Sequence, residues 1–114
     1  MSYRNQQRFL MYLERVACDL CRTRPGSHMH EIVTRGRTVN NQEARLASYD
    51  KYICAWLCPE CHEKAHSPAI AFLLLNRNIE HYGYDKVNEA YKAVAAAMKM
   101  TLDIPFPERT SCDP

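Results

Sequence analysis

The sequence predicts a small α+β fold, a single domain over residues 1–114 that is stapled by zinc. Three observations predict it. Two Cys-x-x-Cys pairs, Cys18/Cys21 and Cys58/Cys61, stand far apart in the chain. A β-branched segment lies between them, and apolar residues recur at helical spacing toward both ends. A chain of 114 residues buries one modest core, so a bound metal is a useful staple.

The elements follow in chain order. Phe9, Leu10, Leu13, Val16 and Ala17 share one face at helical spacing, predicting an amphipathic N-terminal helix within residues 1–17, from about residue 3. After Cys18-Asp19-Leu20-Cys21, the run Arg24-Pro25-Gly26-Ser27 reads as a turn. His28–Thr34 ends in β-branched residues and reads as a strand, with Arg35-Gly36-Arg37 turning after it. Residues 38–52 are polar, a loop with a helical turn near Glu43–Leu46. Tyr52–Leu57 is a compact apolar stretch leading to Cys58-Pro59-Glu60-Cys61, and the chain from Cys61 through His66 reads as helix.

Ser67-Pro68 is a helix start, an N-cap followed by a first-turn proline. That helix runs to about Tyr82 and stops at Gly83, and Asp85 caps a last helix over 86–100. Phe72, Leu73, Leu75 and Ile79 are expected to pack on Val87, Tyr91, Val94 and Met98, giving a helical hairpin over 68–102 and a tail over 103–114. Leu73-Leu74-Leu75 is wider than one helix face needs, so a homodimer through these C-terminal helices is one expectation.

Composition narrows the function classes. Hydrophobic residues make up 46% and charged residues 25%, which excludes a disordered chain. The longest apolar run, Ala69–Leu75, is far short of the roughly 20 residues that cross a bilayer. The polar start has no signal-peptide core, so a cytoplasmic protein with no membrane partner is expected. Residues 1–52 carry nine Lys/Arg against five Asp/Glu, whereas residues 53–114 carry six against eight. A basic front half suits a polyanion partner.

In a reducing compartment six cysteines argue for metal binding rather than disulfides. Each Cys-x-x-Cys turns two thiolates toward one point, and two such knuckles make a tetrahedron of soft donors suited to structural Zn²⁺. The 36 residues between the pairs must carry an inserted strand and loop. The alternatives are a redox pair or buried thiols. Cys54 and Cys112 remain as free thiols.

His62 and His66 are four residues apart and share a helix face. With His30, and with Glu31 and His28 beside it, they form a ligand set that leaves open positions on a second ion. The bland alternatives are a solvated surface pair, or a Cys/His zinc site that recruits His62 or His66.

Cys18-Asp19-Leu20-Cys21, His30-Glu31-Ile32-Val33-Thr34-Arg35-Gly36 and Leu57-Cys58-Pro59-Glu60-Cys61-His62-Glu63-Lys64-Ala65-His66, in that order, resemble a zinc-stapled HNH endonuclease of the ββα-metal (His-Me finger) type. The resemblance covers roughly residues 15–67, within a core assigned to 18–67. It implies a β-hairpin followed by a helix, with one catalytic divalent ion (Mg²⁺, Mn²⁺, Ni²⁺ or Zn²⁺) between them. It also implies DNA as partner and phosphodiester hydrolysis by nicking or double-strand cleavage. It further suggests a phage or bacterial source, with the host cytoplasm as location if phage-encoded.

Carried over by position, His30, His62 and His66 hold the ion, and Glu31 stands where the family has its general base. Shifting the frame by one makes His30 the base and leaves Met29 at the ligand position, a poor ligand for a hard cation. The family's middle asparagine has no match in residues 50–57, with Asn40 and Asn41 the nearest candidates. Arg35, Arg37 and Lys64 are candidate phosphate contacts. The competing class is a non-catalytic zinc-knuckle module that binds nucleic acid or protein.

Overall fold

The computed structural model describes residues 2–34, 36–99, 102 and 104–109. Helix α1 (Tyr3–Glu14) leads through the first knuckle to strand β1 (His28–Glu31). Helix α2 (Gln42–Ala47) and a 3-10 turn (Lys51–Ile53) precede strand β2 (Cys54–Leu57). Helices α3 (Pro59–Lys64), α4 (Pro68–Tyr82) and α5 (Tyr84–Met98) complete the order. Among the described residues the fold is thus a mixed α+β arrangement of five helices around one two-stranded sheet. No helix of the described residues is long and apolar enough to cross a membrane.

The strands pair antiparallel, with His28 opposite Leu57, Met29 opposite Trp56, His30 opposite Ala55 and Glu31 opposite Cys54. Alternation gives the sheet two chemically different faces. Met29, Cys54 and Trp56 join Met11 and Tyr49 in a small core on the α1 side. Ala55 and Leu57 belong to the main core, with Ile32, Ile53, Leu74, Leu75, Val87 and Val94. Helix α3 packs against both strands, and α5 packs against α2 and α4.

Several boundaries differ from the sequence expectations. Helix α1 stops at Glu14, because Arg15 turns extended and Ala17 bridges to Pro25. Its expected apolar face is largely outside: Phe9 is 53%, Leu13 61% and Val16 80% exposed, whereas Met11, off that face, is buried. The reason is that α1 covers only the small core on the far side of the sheet. Strand β1 ends at Glu31, and Ile32 and Val33 bend into the main core instead of extending it. Helix α3 ends at Lys64, so His66 lies past its cap, just before the Ser67 N-cap that accepts from the Ile70 amide at 3.2 Å. Gly83, at φ +94, breaks α4 from α5, and α5 begins at Tyr84. Asp85 sits in its first turn, paired with Arg109. In α4 the buried set is Ala71, Leu74, Leu75 and Asn78, while Phe72 and Leu73 are exposed.

Candidate metal centre and histidine cleft

The first knuckle is stitched to β2 before any metal is considered. The Asp19 amide donates to the Trp56 carbonyl at 2.8 Å, and the Trp56 amide donates to Asp19 Oδ2 at 2.7 Å. The Ser27 amide donates to the Leu57 carbonyl at 3.0 Å. Arg22, at φ +61, lets the knuckle close, with its amide on the Cys18 carbonyl at 2.9 Å. The second knuckle straddles the start of α3, where Pro59 fills the first turn and the His62 amide reaches the Cys58 carbonyl at 2.9 Å.

These elements gather the Sγ atoms of Cys18, Cys21, Cys58 and Cys61 within 4.8 Å of one another. Cys21 and Cys58 are 4.0 Å apart. A tetrahedral zinc with bonds near 2.3 Å requires sulfur–sulfur separations of about 3.8 Å, so the donor set fits. Hydrogen bonds from the Thr23 side chain, then from the Thr23 and Arg24 amides, pull the Cys21 thiol down to about 5. The Cys61 amide lowers Cys58, whereas burial pushes Cys61 up to about 12. All five cysteines among the described residues are free of disulfides, and Cys54 is the one outside the cluster, its thiol donating to the Ser48 carbonyl at 3.3 Å. Cys112 lies outside the described residues.

Arg15 and Asn78, which carried no weight in the sequence reading, brace this region. Arg15 is 6% exposed and donates to Asp19 Oδ2 (2.8 Å), the Cys54 carbonyl (3.0 Å) and the Lys51 carbonyl (2.9 Å). Asn78 Nδ2 donates to the Tyr52 and Cys54 carbonyls, each at 2.9 Å. Asn78 therefore holds the entry to β2. Asn41 instead caps α2 and donates to the Ala97 carbonyl at 3.0 Å, and Asn40 adopts φ +62. The spacing of Asn78 behind Ala71, Leu74 and Leu75 on one helix face was a usable signal for a buried amide.

The histidines of β1 collect against His62 and His66. His30 projects from β1 toward α3, with ring centres 5.5 Å from His62 and 5.8 Å from His66. Two imidazoles sharing one tetrahedral ion at about 2.1 Å hold their ring centres about 5 Å apart. The observed rings are thus about 0.5–0.8 Å beyond that spacing. His30 is 3% exposed, and its Nε2 is buried without a hydrogen-bond partner. Burial pushes its imidazole down to about 4, with His62 and His66 adding to the shift. Burial also lowers His62. His28 stacks on His62 at 5.3 Å and is tied to Ser27 Oγ through Nδ1 at 2.7 Å.

A cleft of about 340 Å³ is lined by His30, Glu31, Thr34, Gly36, His62 and His66. Among the described residues, the four cysteines are the group whose donor atoms already converge. The imidazoles come together as rings. Glu31 accepts from Arg4 Nε at 3.0 Å, a contact from α1 across 27 residues that no local motif signals. Arg37 reaches Thr34 Oγ1 at 3.2 Å, beside the cleft, and Lys64 is exposed on α3. Arg35 lies outside the described residues. Comparison with protein-family models, with curated proteins and with solved structures finds no match to this chain.

Proposed function

We propose that this chain is a metal-dependent HNH-type endonuclease that hydrolyses phosphodiester bonds in DNA. One observation carries the proposal. His30, whose Nε2 is buried without a hydrogen-bond partner, lines an open cleft together with His62 and His66, their ring centres 5.5 and 5.8 Å from its own. An orphaned buried polar atom costs stability unless something binds it, and a neutral imidazole is a metal ligand in waiting. The strand–strand–helix order, β1, β2 and α3, supports the ββα-metal reading of the core.

In this reading Cys18, Cys21, Cys58 and Cys61 hold structural zinc, whose binding energy adds to folding energy. His30, His62 and His66 hold a divalent ion, which when bound supplies Lewis-acid stabilisation of the leaving oxygen. Glu31 accepts the proton of the attacking water. The Arg4 guanidinium orients that carboxylate, and Arg37 and Lys64 would contact neighbouring phosphates. His28 steadies the His62 ring by stacking.

The competing reading, a zinc-knuckle binding module without catalysis, rests on the convergence of the cysteine donors alone. Plasmid incubation with Mg²⁺, Mn²⁺ or Ni²⁺, with a chelator as control, separates the two. Wild type nicks or cuts, and a folded His62→Ala does not. Glu31→Gln lowers the rate by about 10²–10⁴-fold, the usual worth of a positioned base. Equal nicking by wild type and His62→Ala would remove the cleft from the chemistry.

A further inference from the structure

Beyond the histidine cleft, the structure carries an open groove of about 570 Å³ where α1 meets the end of the sheet. Asn5, Arg8, Phe9, Tyr12, Ser27 and Trp56 line it, together with Gly26. We infer that this groove binds a nucleotide of the DNA strand, with the base between the α1 aromatics and the Trp56 edge and the phosphate on Arg8. The inference rests on the nuclease reading and deepens it by adding a substrate subsite.

Three observations carry it. The first is Trp56, which is 4% exposed and lines the groove. Its pyrrole edge lies against Gly26: a Cβ built there would come within 2.8 Å of Nε1 and collide with Cδ1. Both residues line the groove, so the close fit on Gly26 fixes the Trp56 ring edge at its wall. An indole pairs an apolar face with an N–H that can donate to an acceptor on a planar base.

The second observation is the wall. Phe9 and Tyr12 are exposed aromatic rings on a helix that the sequence reading had expected to bury its apolar face. Stacked bases are held by such rings without regard to sequence. The charge is complementary as well, since Arg8 is the one charged lining residue and no carboxylate lines the groove.

The third observation is continuity. Ser27 lines the groove, its Oγ bonds His28 Nδ1 at 2.7 Å, and His28 stacks on the candidate ligand His62. The groove is therefore joined to the candidate ligand His62 through two contacts, Ser27 to His28 and His28 to His62.

Trp56 is the one tryptophan of the chain, so its emission reports the groove directly. Wild type is titrated with a short single-stranded DNA oligomer without added divalent metal, and both emission and anisotropy of a labelled oligomer are followed. The oligomer changes Trp56 emission saturably. Tyr12→Ala and Arg8→Ala each weaken binding at least about five-fold, and Leu13→Ala, exposed on α1 outside the groove, leaves it unchanged. Saturated binding with Trp56 emission and both affinities unaltered overturns the proposal, whatever the plasmid assay gives. Self-association in sedimentation that Tyr12→Ala and Phe9→Ala abolish, with no oligomer response, overturns it in favour of a second copy. An emission response in a protein that cuts no plasmid with any metal leaves the groove standing and removes the catalytic reading.

Discussion

Replacing Cys58 by serine tests the structural core of the argument. Cys58 is buried at the junction of β2 and α3, and its sulfur is one of four that lie within 4.8 Å of each other. Together the four tie the segment after α1 to the start of α3. Structural zinc contributes roughly 10–16 kcal/mol of apparent binding energy, whereas a domain of this kind is stable by only about 5–15 kcal/mol. Loss of even a quarter of the lower figure is about 2.5 kcal/mol, or about 10 °C at roughly 4 °C per kcal/mol. Thermal melting by circular dichroism, with zinc content measured on the same samples, reads both quantities. Wild type carries one tightly held zinc per chain, and Cys58→Ser loses it and melts at least about 10 °C lower. Cys54→Ala is the matched control, a buried thiol outside the cluster whose loss keeps the zinc and costs about 1 kcal/mol. A metal-free wild type, or a Cys58→Ser that melts with it, would refute the staple.

Other outcomes follow from single contacts. Arg15→Met leaves Asp19 and two backbone carbonyls short of a donor inside the fold, and is expected to cost about 3–5 kcal/mol in chemical denaturation. Asn78→Leu removes both bonds to the Tyr52 and Cys54 carbonyls, and the urea midpoint should fall by the equivalent of about 1–3 kcal/mol. Arg4→Ala unties Glu31 at a partly exposed ion pair, so stability changes by less than about 1 kcal/mol. The plasmid-cleavage rate, read separately, should drop at least about ten-fold, because the carboxylate is no longer held in place.

How far the sequence spoke for the fold depends on the range of the signal. The cysteine knuckles were legible because zinc chemistry demands two closely spaced donors twice, and the four sulfurs meet. Ser67-Pro68 and Gly83 were legible because capping and a positive φ are local requirements. Helix α1 was misread because periodicity reports a face but not whether anything covers it. Phe9, Leu13 and Val16 of the expected face stay more than half exposed, and Met11 is the residue of α1 that is buried. Arg15, Asn78 and the Arg4–Glu31 pair were missed for a different reason. Each makes bonds to residues 24 or more positions away, and a buried polar side chain leaves no pattern of its own in one sequence. Asn78 came nearest to legibility, since it continues the buried stripe of α4.

The two clusters share one short element, and that sharing has a consequence. Cys58 and Cys61 bracket the first turn of α3, His62 follows Cys61 directly, and His66 lies just past the helix end. A six-residue helix has little stability of its own, so its orientation comes from what holds its start. The sulfur cluster therefore sets the direction in which His62 and His66 face His30. Histidine substitutions should then silence the cleft and spare the fold, whereas cysteine substitutions should silence both. Cleavage by a protein stripped of its sulfur-bound metal would mean that the helix is aimed by packing alone. In that case Ala65, buried against the main core, and the contacts of α3 with β1 and β2 would have to carry the alignment.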